Sequence, residues 1–222
     1  MSLLTRQSRL VDSNILTCPL TIIGAGGIGS FTALTLAKMG FENITVMDDD
    51  TVEEHNIPNQ FYRYKDLTNS KVEALKQIIH DFTKNEISIS NYRFEKETII
   101  SWDGLWIMAV DNMVTRKNIY DLAYKHHNLI TGIIDGRMGG QQAEVYTVNM
   151  QNRMERAAYK NTLWEEAETA QVPCTERAVI YNVLWIASTI ANSVRLLLEK
   201  KPYRPIQIMD FENQICHYPT ER

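Results

Sequence analysis

The chain has 222 residues, of which 44% are hydrophobic and 23% charged, and a formal net charge of −4. This length can bury a sizeable core without staples, and the charge offers no basic field for nucleic acid or an anionic membrane surface. Cys18, Cys174 and Cys216 form no CxxC pair, which argues against a secreted disulfide framework and an all-cysteine zinc site. The first ten residues do not resemble a signal peptide. We therefore expect a cytoplasmic globular protein without zinc.

The first elements in the chain read as a βαβ unit. Residues 19–23 are a short apolar run that suits a buried strand, and residues 28–39 have helical spacing with Gly40 as a natural stop. Residues 43–47 then read as a second strand that runs into an acidic cluster. The three elements fit within about 30 residues, which is the size of a βαβ unit.

The polar stretch at residues 51–69 reads as a loop, after which a further helix is predicted. Ser70 and Glu73 have the spacing of a capping box that opens a helix reaching to about Lys84. The apolar positions predicted to share its buried face are Val72, Leu75, Ile79 and Phe82.

Strands and helices continue to alternate up to about residue 140. Residues 86–94 and 105–110 read as strands, 113–127 as a helix and 128–134 as a strand. The glycines between 132 and 140 predict a flexible polar loop around Asp135 and Arg137. This alternation predicts an α/β, Rossmann-like fold with a mainly parallel sheet and helices on both faces.

The pattern changes in the last third of the chain, which we interpret as an antiparallel C-terminal extension. Residues 142–149 read as an antiparallel strand, 151–175 as an irregular polar crossover, and 206–210 with 214–218 as a terminal hairpin. The apolar segment at 178–198 could span a membrane, but its asparagines, serines and arginine are costly in lipid. A buried or interface helix is the preferred reading.

A glycine-rich turn between the first strand and helix predicts nucleotide binding. Residues 24–29 fit G-x-G-x-x-G, whose glycines let phosphate approach backbone N–H groups at the positive helix end. Asp48 ends the next strand, where an acid accepts hydrogen bonds from a ribose hydroxyl. A turn that serves only helix–strand packing is the alternative reading.

Asp111, at the end of a later strand, decides between two nucleotide classes. An NAD-dependent dehydrogenase is the default for such a glycine loop, but it rarely needs an acidic run followed by a polar, Asn-rich loop. A carboxylate facing a triphosphate at this point makes sense with Mg²⁺ between them. The alternative role for Asp111 is the N-cap of the following helix.

Several segments together resemble the ThiF/MoeB superfamily, the ubiquitin-activating-type adenylating enzymes. They are GAGGIGS at 24–30, the acidic stretch from Asp48 to Gln60, Lys71, DNMVTR at 111–116 and RQSR at 6–9. The matches run from about residue 6 to 200. The resemblance implies a single adenylation domain over 1–222, with an N-terminal arm (1–17), a nucleotide-binding core (18–140) and the extension (141–222).

The resemblance also implies a reaction, in which MgATP and the C-terminal glycine carboxylate of a small ubiquitin-like or sulfur-carrier protein give an acyl-adenylate and pyrophosphate. The implied site residues are Arg9, reaching the partner subunit of a homodimer; Gly24, Gly26, Gly27 and Gly29, lining the nucleotide; Asp48, binding the ribose; Asn56 and Lys71, contacting phosphate; Asp50 and Asn59, elsewhere in the nucleotide-binding site; and Asp111, holding Mg²⁺. The alternative for Arg9 and Lys71 is a solvated surface charge.

Two departures from the family pattern stand out. Asn59 occupies the position where the family has an arginine before Gln60, so one phosphate-neutralising charge is missing. Arg63 is close enough in sequence to substitute for it. The paired CxxC motifs of the zinc-bearing members are absent, which predicts a zinc-free member of the family.

Cys174 is the candidate nucleophile. It precedes the long apolar helix, whose N-terminus would stabilise a thiolate, and family members that go beyond adenylation carry a cysteine in this region for a thioester or persulfide. The alternative is an unreactive structural thiol, and Cys18 and Cys216 are expected to be packing residues. An NAD-dependent oxidoreductase and a non-catalytic dimeric scaffold remain alternative functions.

Overall fold

The computed structural model describes residues 4–95, 103–163 and 179–219. Its helices are α1 (Gly27–Met39), α2 (Lys71–Thr83), α3 (Met113–Lys125), α4 (Arg153–Lys160) and α5 (Ile180–Leu198). Its strands are β1 (Leu20–Ile23), β2 (Ile44–Met47), β3 (Ser88–Ser90), β4 (Gly104–Met108), β5 (Ile130–Gly139), β6 (Gln142–Asn149), β7 (Ile206–Asp210) and β8 (Ile215–His217).

One eight-stranded sheet joins these strands in the order β3-β2-β1-β4-β5-β6-β7-β8. The pairs from β3 to β5 are parallel and the pairs from β5 to β8 are antiparallel. This confirms the predicted parallel sheet with an antiparallel extension and a terminal hairpin. The chain turns from β3 back to β4 on the other side of β1, so the carboxyl ends of β1 and β4 flank the topological switch point.

The sheet is covered on both faces, as the continuous apolar runs of its central strands require. One core cluster joins alternate sheet residues such as Ile22 and Ile107 to apolar side chains of α1, α2 and α5. A second cluster joins Trp106 and Ile133 to α3 and to Tyr159 of α4. The predicted α/β layers, with helices on both faces, are therefore confirmed.

The prediction of a flexible loop around Asp135 and Arg137 is wrong, because these residues belong to β5, which continues to Gly139. A Cβ atom at Gly132 would lie 2.4 Å from the Leu197 side chain, and one at Gly136 would lie 2.8 Å from Ile186. These two glycines let β5 pack closely against α5. Their role is therefore close packing, and glycine content alone gave a misleading loop signal.

Helix α2 begins where predicted, but the capping box does not form. No side chain caps this end of the helix, and the Ser70 hydroxyl lies 3.4 Å from Asn91 Oδ1 instead. Val72, Leu75 and Ile79 are buried, whereas Phe82 is 57% exposed. The Phe82 ring lies beside that of Phe61, with 5.9 Å between centroids, so the buried face ends one turn earlier than predicted.

Part of the crossover predicted to be irregular forms a helix. Helix α4 is capped by Asn152, whose side-chain oxygen accepts from the backbone N–H groups of Met154 and Glu155. Burial of Tyr159 fixes the helix to the sheet. Residues 164–175 of this crossover, including Cys174, lie outside the described residues.

Helix α5 confirms the buried reading of the long apolar segment. Its Asn182 side chain donates to the Gly140 carbonyl at 2.8 Å, and Ser193 accepts from Gln207 at 3.3 Å. These bonds satisfy the Asn182 amide N–H group and the Ser193 hydroxyl oxygen at the contact with the sheet. No helix within the described ranges is long and apolar enough to cross a membrane.

Candidate functional site

The glycine loop between β1 and α1 leaves the first turn of the helix without a side-chain cap. Gly24 has φ of +100°, and a Cβ there would lie 2.5 Å from the Ala109 carbonyl oxygen. A Cβ at Gly27 would lie 2.9 Å from the Asn59 carbonyl oxygen, whereas one at Gly26 would lie 4.0 Å from Gln60 Nε2. The loop thus presents uncapped backbone N–H groups at a helix N-terminus, where an anion binds favourably.

Two side chains hold this loop in place by hydrogen bonds to the backbone of Ala25. Asp48 accepts a hydrogen bond from the Ala25 N–H at 2.6 Å, and the Tyr62 hydroxyl donates to the Ala25 carbonyl at 2.6 Å. Burial, and after it the charges of Asp48 and Asp50, raises the pKa of Tyr62, so its hydroxyl remains a donor. Sequence reasoning missed Tyr62, because an aromatic residue in a polar loop carries no distinct signal.

A cavity of about 960 Å³ opens at the carboxyl ends of the parallel strands. It extends from the glycine loop and Asp48, past Asp111, to Gly139 and Glu144 where β5 meets β6. The predicted site residues that line it are Gly24, Gly26, Gly27, Asp48, Asp50, Asn59, Lys71 and Asp111. These residues are distant in sequence, and the switch-point topology brings them together.

Three predicted residues within the described ranges do not line this cavity. Gly29 lies within α1, where a Cβ would come within 1.8 Å of the Gly24 carbonyl oxygen, so it serves close packing of the loop. Asn56 is buried and accepts from the Glu53 N–H at 2.9 Å in a short turn. Arg9 is exposed in the N-terminal arm, which a bond from the Asp12 N–H to Glu199 ties to the end of α5.

Lys71 lies in the acidic wall of the cavity. Its Nζ atom is 2.7 Å from an Asp50 carboxylate oxygen, and its side chain is only 7% exposed. The alternative of a solvated surface lysine is therefore wrong. Carboxylate oxygens of Asp48, Asp49 and Asp50 lie within 4.8 Å of one another, so Lys71 offsets part of a concentrated negative charge.

Asp111 is available at the cavity surface because its neighbour caps the helix. Asn112 is the N-cap of α3, and its side-chain oxygen accepts from the Thr115 N–H at 2.8 Å. The alternative that Asp111 is the cap is therefore wrong. Asp111 is exposed, and Asn112 Nδ2 donates to one of its oxygens at 3.1 Å. Its carboxylate can offer oxygen ligands to a cation in the cavity.

The opposite wall contains a buried ionic cluster that the sequence did not reveal. Asp135 is fully buried and accepts from Arg116 Nε at 3.0 Å and Arg137 Nε at 2.6 Å. The Tyr159 hydroxyl donates to the same carboxylate at 2.9 Å. Burial, and after it the charge of Asp135, raises the pKa of Tyr159 well above its usual value. We call Arg116, Asp135, Arg137 and Tyr159 the buried ionic cluster.

The buried ionic cluster contains one more positive charge than negative charge, and both arginines line the cavity. Arg116 also donates to the carbonyls of Val110 and Gly136, which joins the segment after β4, beside Asp111, to β5. The alternation of Ile133, Asp135 and Arg137 along a strand was the signal available in the sequence. The loop interpretation of the nearby glycines concealed it.

Arg63 does not supply the charge that Asn59 lacks. Its guanidinium pairs with Asp66 at 2.8 Å and Asp81 at 3.3 Å, and it does not line the cavity among the described residues. The cations that the described part of the chain places along the cavity are Lys71, Arg93, Arg116 and Arg137. The structure therefore does not support Arg63 as a substitute for the missing arginine.

The two cysteines in the described residues are both half-buried. Burial, and after it the charge of Asp103, raises the pKa of the Cys18 thiol, which disfavours the reactive thiolate. Cys216 lies in β8 and pairs in register with Met209. Neither of these two cysteines lines the cavity.

The residues present fit a nucleoside triphosphate and a divalent cation. The uncapped glycine loop suits phosphate, and the cavity is large enough for a nucleotide and part of a second ligand. Asp111 provides hard oxygen ligands on the opposite side of the switch point from Asp48.

Comparison with known proteins gives a family match over most of the chain. A model described as the ThiF family matches residues 5–216. The chain is 29% identical over 150 residues to the SUMO-activating enzyme subunit uba-2 of Caenorhabditis elegans, covering 64% of this chain and 24% of that protein. It is 25% identical over 199 residues to the sulfur carrier protein ThiS adenylyltransferase of Escherichia coli, covering 86% and 74%.

The fold itself recurs in solved structures. Escherichia coli MccB with AMPCPP and selenomethionine MccA superposes with a TM-score of 0.72 over 93% of this chain and 64% of that chain, at 15% identity. At this identity the similarity shows a shared fold. The chain spans about a quarter of the length of the worm SUMO-activating subunit.

Proposed function

Because the chain belongs to the ThiF family, we propose that it is an ATP-dependent adenylyltransferase. Its substrate in this proposal is the C-terminal glycine carboxylate of a small ubiquitin-like or sulfur-carrier protein. The observation that carries the proposal is the single cavity that joins the glycine loop, Lys71 and Asp111. A single adenylation domain over residues 1–222 and a homodimer completed by Arg9 belong to the same proposal.

The proposed reaction forms one bond and breaks one. A carboxylate oxygen of the carrier attacks the α-phosphorus of ATP, and the bond from that phosphorus to the oxygen bridging to the β-phosphorus breaks. The products are an acyl-adenylate and pyrophosphate, which takes the electron pair of the broken bond. Mg²⁺, when held by Asp111, would screen phosphate charge during this displacement.

The residues of the chain bind and orient the two anionic reactants. The N–H groups of the glycine loop fix the phosphates, and Lys71 offsets their charge beside Asp50. Positive charge in the buried ionic cluster lowers the cost of bringing a carboxylate towards a triphosphate. The Asp48 carboxylate accepts a hydrogen bond from the Ala25 N–H. In this proposal it also accepts one from a ribose hydroxyl, which is added to the Ala25 bond or replaces it.

Nucleotide titration and pyrophosphate exchange together test this function. We expect isothermal titration to show binding of ATP with Mg²⁺, and carboxylate-dependent ATP–pyrophosphate exchange in the presence of the correct carrier. Binding of NAD without binding of ATP would identify the alternative, an NAD-dependent oxidoreductase. Binding of ATP without exchange, with the correct carrier present, would identify a non-catalytic scaffold.

Gly139 provides a steric test of how a carrier tail enters. A Cβ at this position meets nothing within 4 Å, and Gly139 lines the cavity. We expect Gly139→Val to leave the affinity for ATP within about twofold, since the glycine loop is untouched, and to reduce carrier-dependent exchange by about tenfold or more, since the added side chain occupies the tail's path. Unchanged exchange with the valine variant would place the tail elsewhere.

A second chemical step at Cys174 is also part of the proposal. It rests on the position of this cysteine ahead of α5 in the sequence and on the family resemblance. We expect Cys174→Ala to spare pyrophosphate exchange and to remove only a later covalent adduct with the carrier, detected as a mass shift on intact protein. Loss of exchange in a folded Cys174→Ala variant would contradict the two-step assignment. Cys18→Ala is the matched control and should retain both activities.

A further inference from the structure

We propose that Tyr62 is a positioning residue, which holds the glycine loop in the conformation that binds the phosphates of a nucleotide. The inference rests on the proposed function, because it concerns how the ATP of that reaction is held. Tyr62 lies between β2 and α2, is only 6% exposed and does not line the cavity in the described part of the chain. Any effect of Tyr62 on a nucleotide therefore passes through the glycine loop.

The Tyr62 hydroxyl acts on one peptide group of the glycine loop. It donates to the Ala25 carbonyl at 2.6 Å, and Ala25 is fully buried. This carbonyl shares a peptide with the Gly26 N–H, and the C=O and N–H bonds of a planar trans peptide point in opposite directions. Gly26 lines the cavity. By holding the carbonyl, Tyr62 fixes the direction of an N–H group that the loop offers to phosphate.

The other peptide group of Ala25 is held separately. The Ala25 N–H donates to one carboxylate oxygen of Asp48 at 2.6 Å, and the second oxygen of Asp48 accepts from the Asp50 N–H at 2.8 Å. Asp48 is thus anchored without Tyr62. A change at Tyr62 should therefore disturb the phosphate end of the nucleotide site and leave the carboxylate proposed for the ribose in place.

The residues just before Tyr62 contact the same loop. The Phe61 N–H donates to Ser30 Oγ at 3.0 Å, and the Ser30 hydroxyl donates to the Gly27 carbonyl at 3.2 Å. The Asn59 carbonyl oxygen lies so close to Gly27 that a Cβ there would come within 2.9 Å of it. Residues 59–62 therefore pack along the glycine loop as one segment, which we call the loop support.

The loop support is anchored at both of its ends. Before it, the Asn56 carbonyl accepts from the Gln60 N–H at 2.9 Å. After it, Arg63 pairs with Asp66 at 2.8 Å and with Asp81 of α2 at 3.3 Å. These contacts give Asn56 and Arg63 a role at a distance from the cavity, because they fix the segment that carries Tyr62.

A loop fixed in advance binds phosphate more tightly than a mobile one. Glycine has more backbone freedom than any other residue, so an unsupported glycine loop would occupy many conformations. The apparent affinity of a ligand falls with the fraction of molecules that are in the binding conformation. Such preorganisation matters here because Asn59 brings no positive charge to this part of the cavity.

Tyr62→Phe tests the role of the hydroxyl, with affinities for ATP and Mg²⁺ and for adenosine measured by isothermal titration. We expect ATP to bind about 10-fold more weakly, since the Ala25 peptide is free to turn. Adenosine should bind within about twofold of the wild-type affinity, because it has no phosphate and Asp48 keeps its bond from Asp50. Tyr64→Phe, at a position that is 74% exposed, is the matched control and should change neither affinity.

Amide hydrogen exchange without nucleotide measures the loop itself. In Tyr62→Phe the buried Ala25 N–H is expected to exchange about 10-fold faster, whereas the amides that pair β5 with β6 should exchange as in the wild type. Ser30→Ala removes the acceptor for the Phe61 N–H and provides a second, independent variant. It is expected to weaken ATP binding and to spare adenosine in the same way.

The outcomes separate this inference from the proposed function. Wild-type ATP affinity in both variants overturns the inference, and so does an equal loss of ATP and adenosine affinity, which indicates general loss of structure. An unchanged Ala25 exchange rate in Tyr62→Phe also overturns it. Selective loss of ATP affinity, in a protein whose wild type shows no pyrophosphate exchange with the correct carrier, supports the positioning role and counts against adenylation. Selective loss with wild-type exchange activity supports both.

Discussion

Asp111→Asn is expected to lower carrier-dependent ATP–pyrophosphate exchange by about 100-fold or more. The asparagine keeps the size of the side chain but removes the charge that would hold Mg²⁺ against the phosphates, and such preorganised electrostatic groups have effects of this order. The fold should be unaffected, because Asn112 and not Asp111 caps α3. The measurement is the initial exchange rate at saturating ATP over a range of Mg²⁺ concentrations.

A matched control distinguishes this effect from a general loss of acidity. Asp121 is an exposed aspartate on α3, and Asp121→Asn should leave the exchange rate unchanged. Thermal unfolding of both variants should match that of the wild type to within about 0.5 kcal/mol. Full exchange activity in the Asp111→Asn variant would show that Asp111 does not take part in the proposed reaction.

Asp135→Asn is expected to destabilise the protein by roughly 3 kcal/mol or more. The substitution leaves Arg116 and Arg137 buried without the carboxylate that compensates both, and removing one partner of a buried ionic group typically costs roughly 3–5 kcal/mol. Urea unfolding followed by circular dichroism measures the change in the free energy of unfolding, with Asp121→Asn again as the control.

The buried ionic cluster also predicts which further substitutions would restore stability to Asp135→Asn. Replacing Arg116, Asp135 and Arg137 together with apolar residues of similar size should recover part of the stability lost in Asp135→Asn, because no charge is then left unpaired. The same triple variant should lose exchange activity, since the positive wall of the cavity is gone. A free energy of unfolding for Asp135→Asn within 1 kcal/mol of the wild type would show that water reaches both arginines.

The sequence predicted the helices, strands and turns that depend on patterns of neighbouring residues. Apolar runs marked β1 and β4, helical spacing with Gly40 marked α1, and the G-x-G-x-x-G turn marked the phosphate site, because each depends on neighbouring residues alone. The order of strand and helix patterns then predicted the parallel sheet. Asp48 and Asp111 could be selected because such a sheet gathers its strand ends at one switch point, whereas Lys71, the first residue of α2, was selected only from the family resemblance.

Only the tertiary structure shows how far β5 extends and which residues line the cavity wall formed by β5 and β6. Gly132 and Gly136 suggested a loop, and only the contact with α5 shows that they permit close packing in a strand. Arg63 and Arg137 are equally charged in the sequence, yet one pairs with Asp66 and Asp81 away from the site and the other lines the cavity.

The sequence by itself therefore determined the layered α/β fold, the glycine loop and the acidic residues at the strand ends. Each of these features is marked by residues that are close together in the sequence, so it can be recognised without knowledge of long-range contacts. The tertiary structure decided which charges face the cavity, because the direction of a side chain depends on strand register and on the helix packed against it. Glu144 is the clearest case, since only the pairing of β5 with β6 places this residue beside Arg137 in the cavity wall.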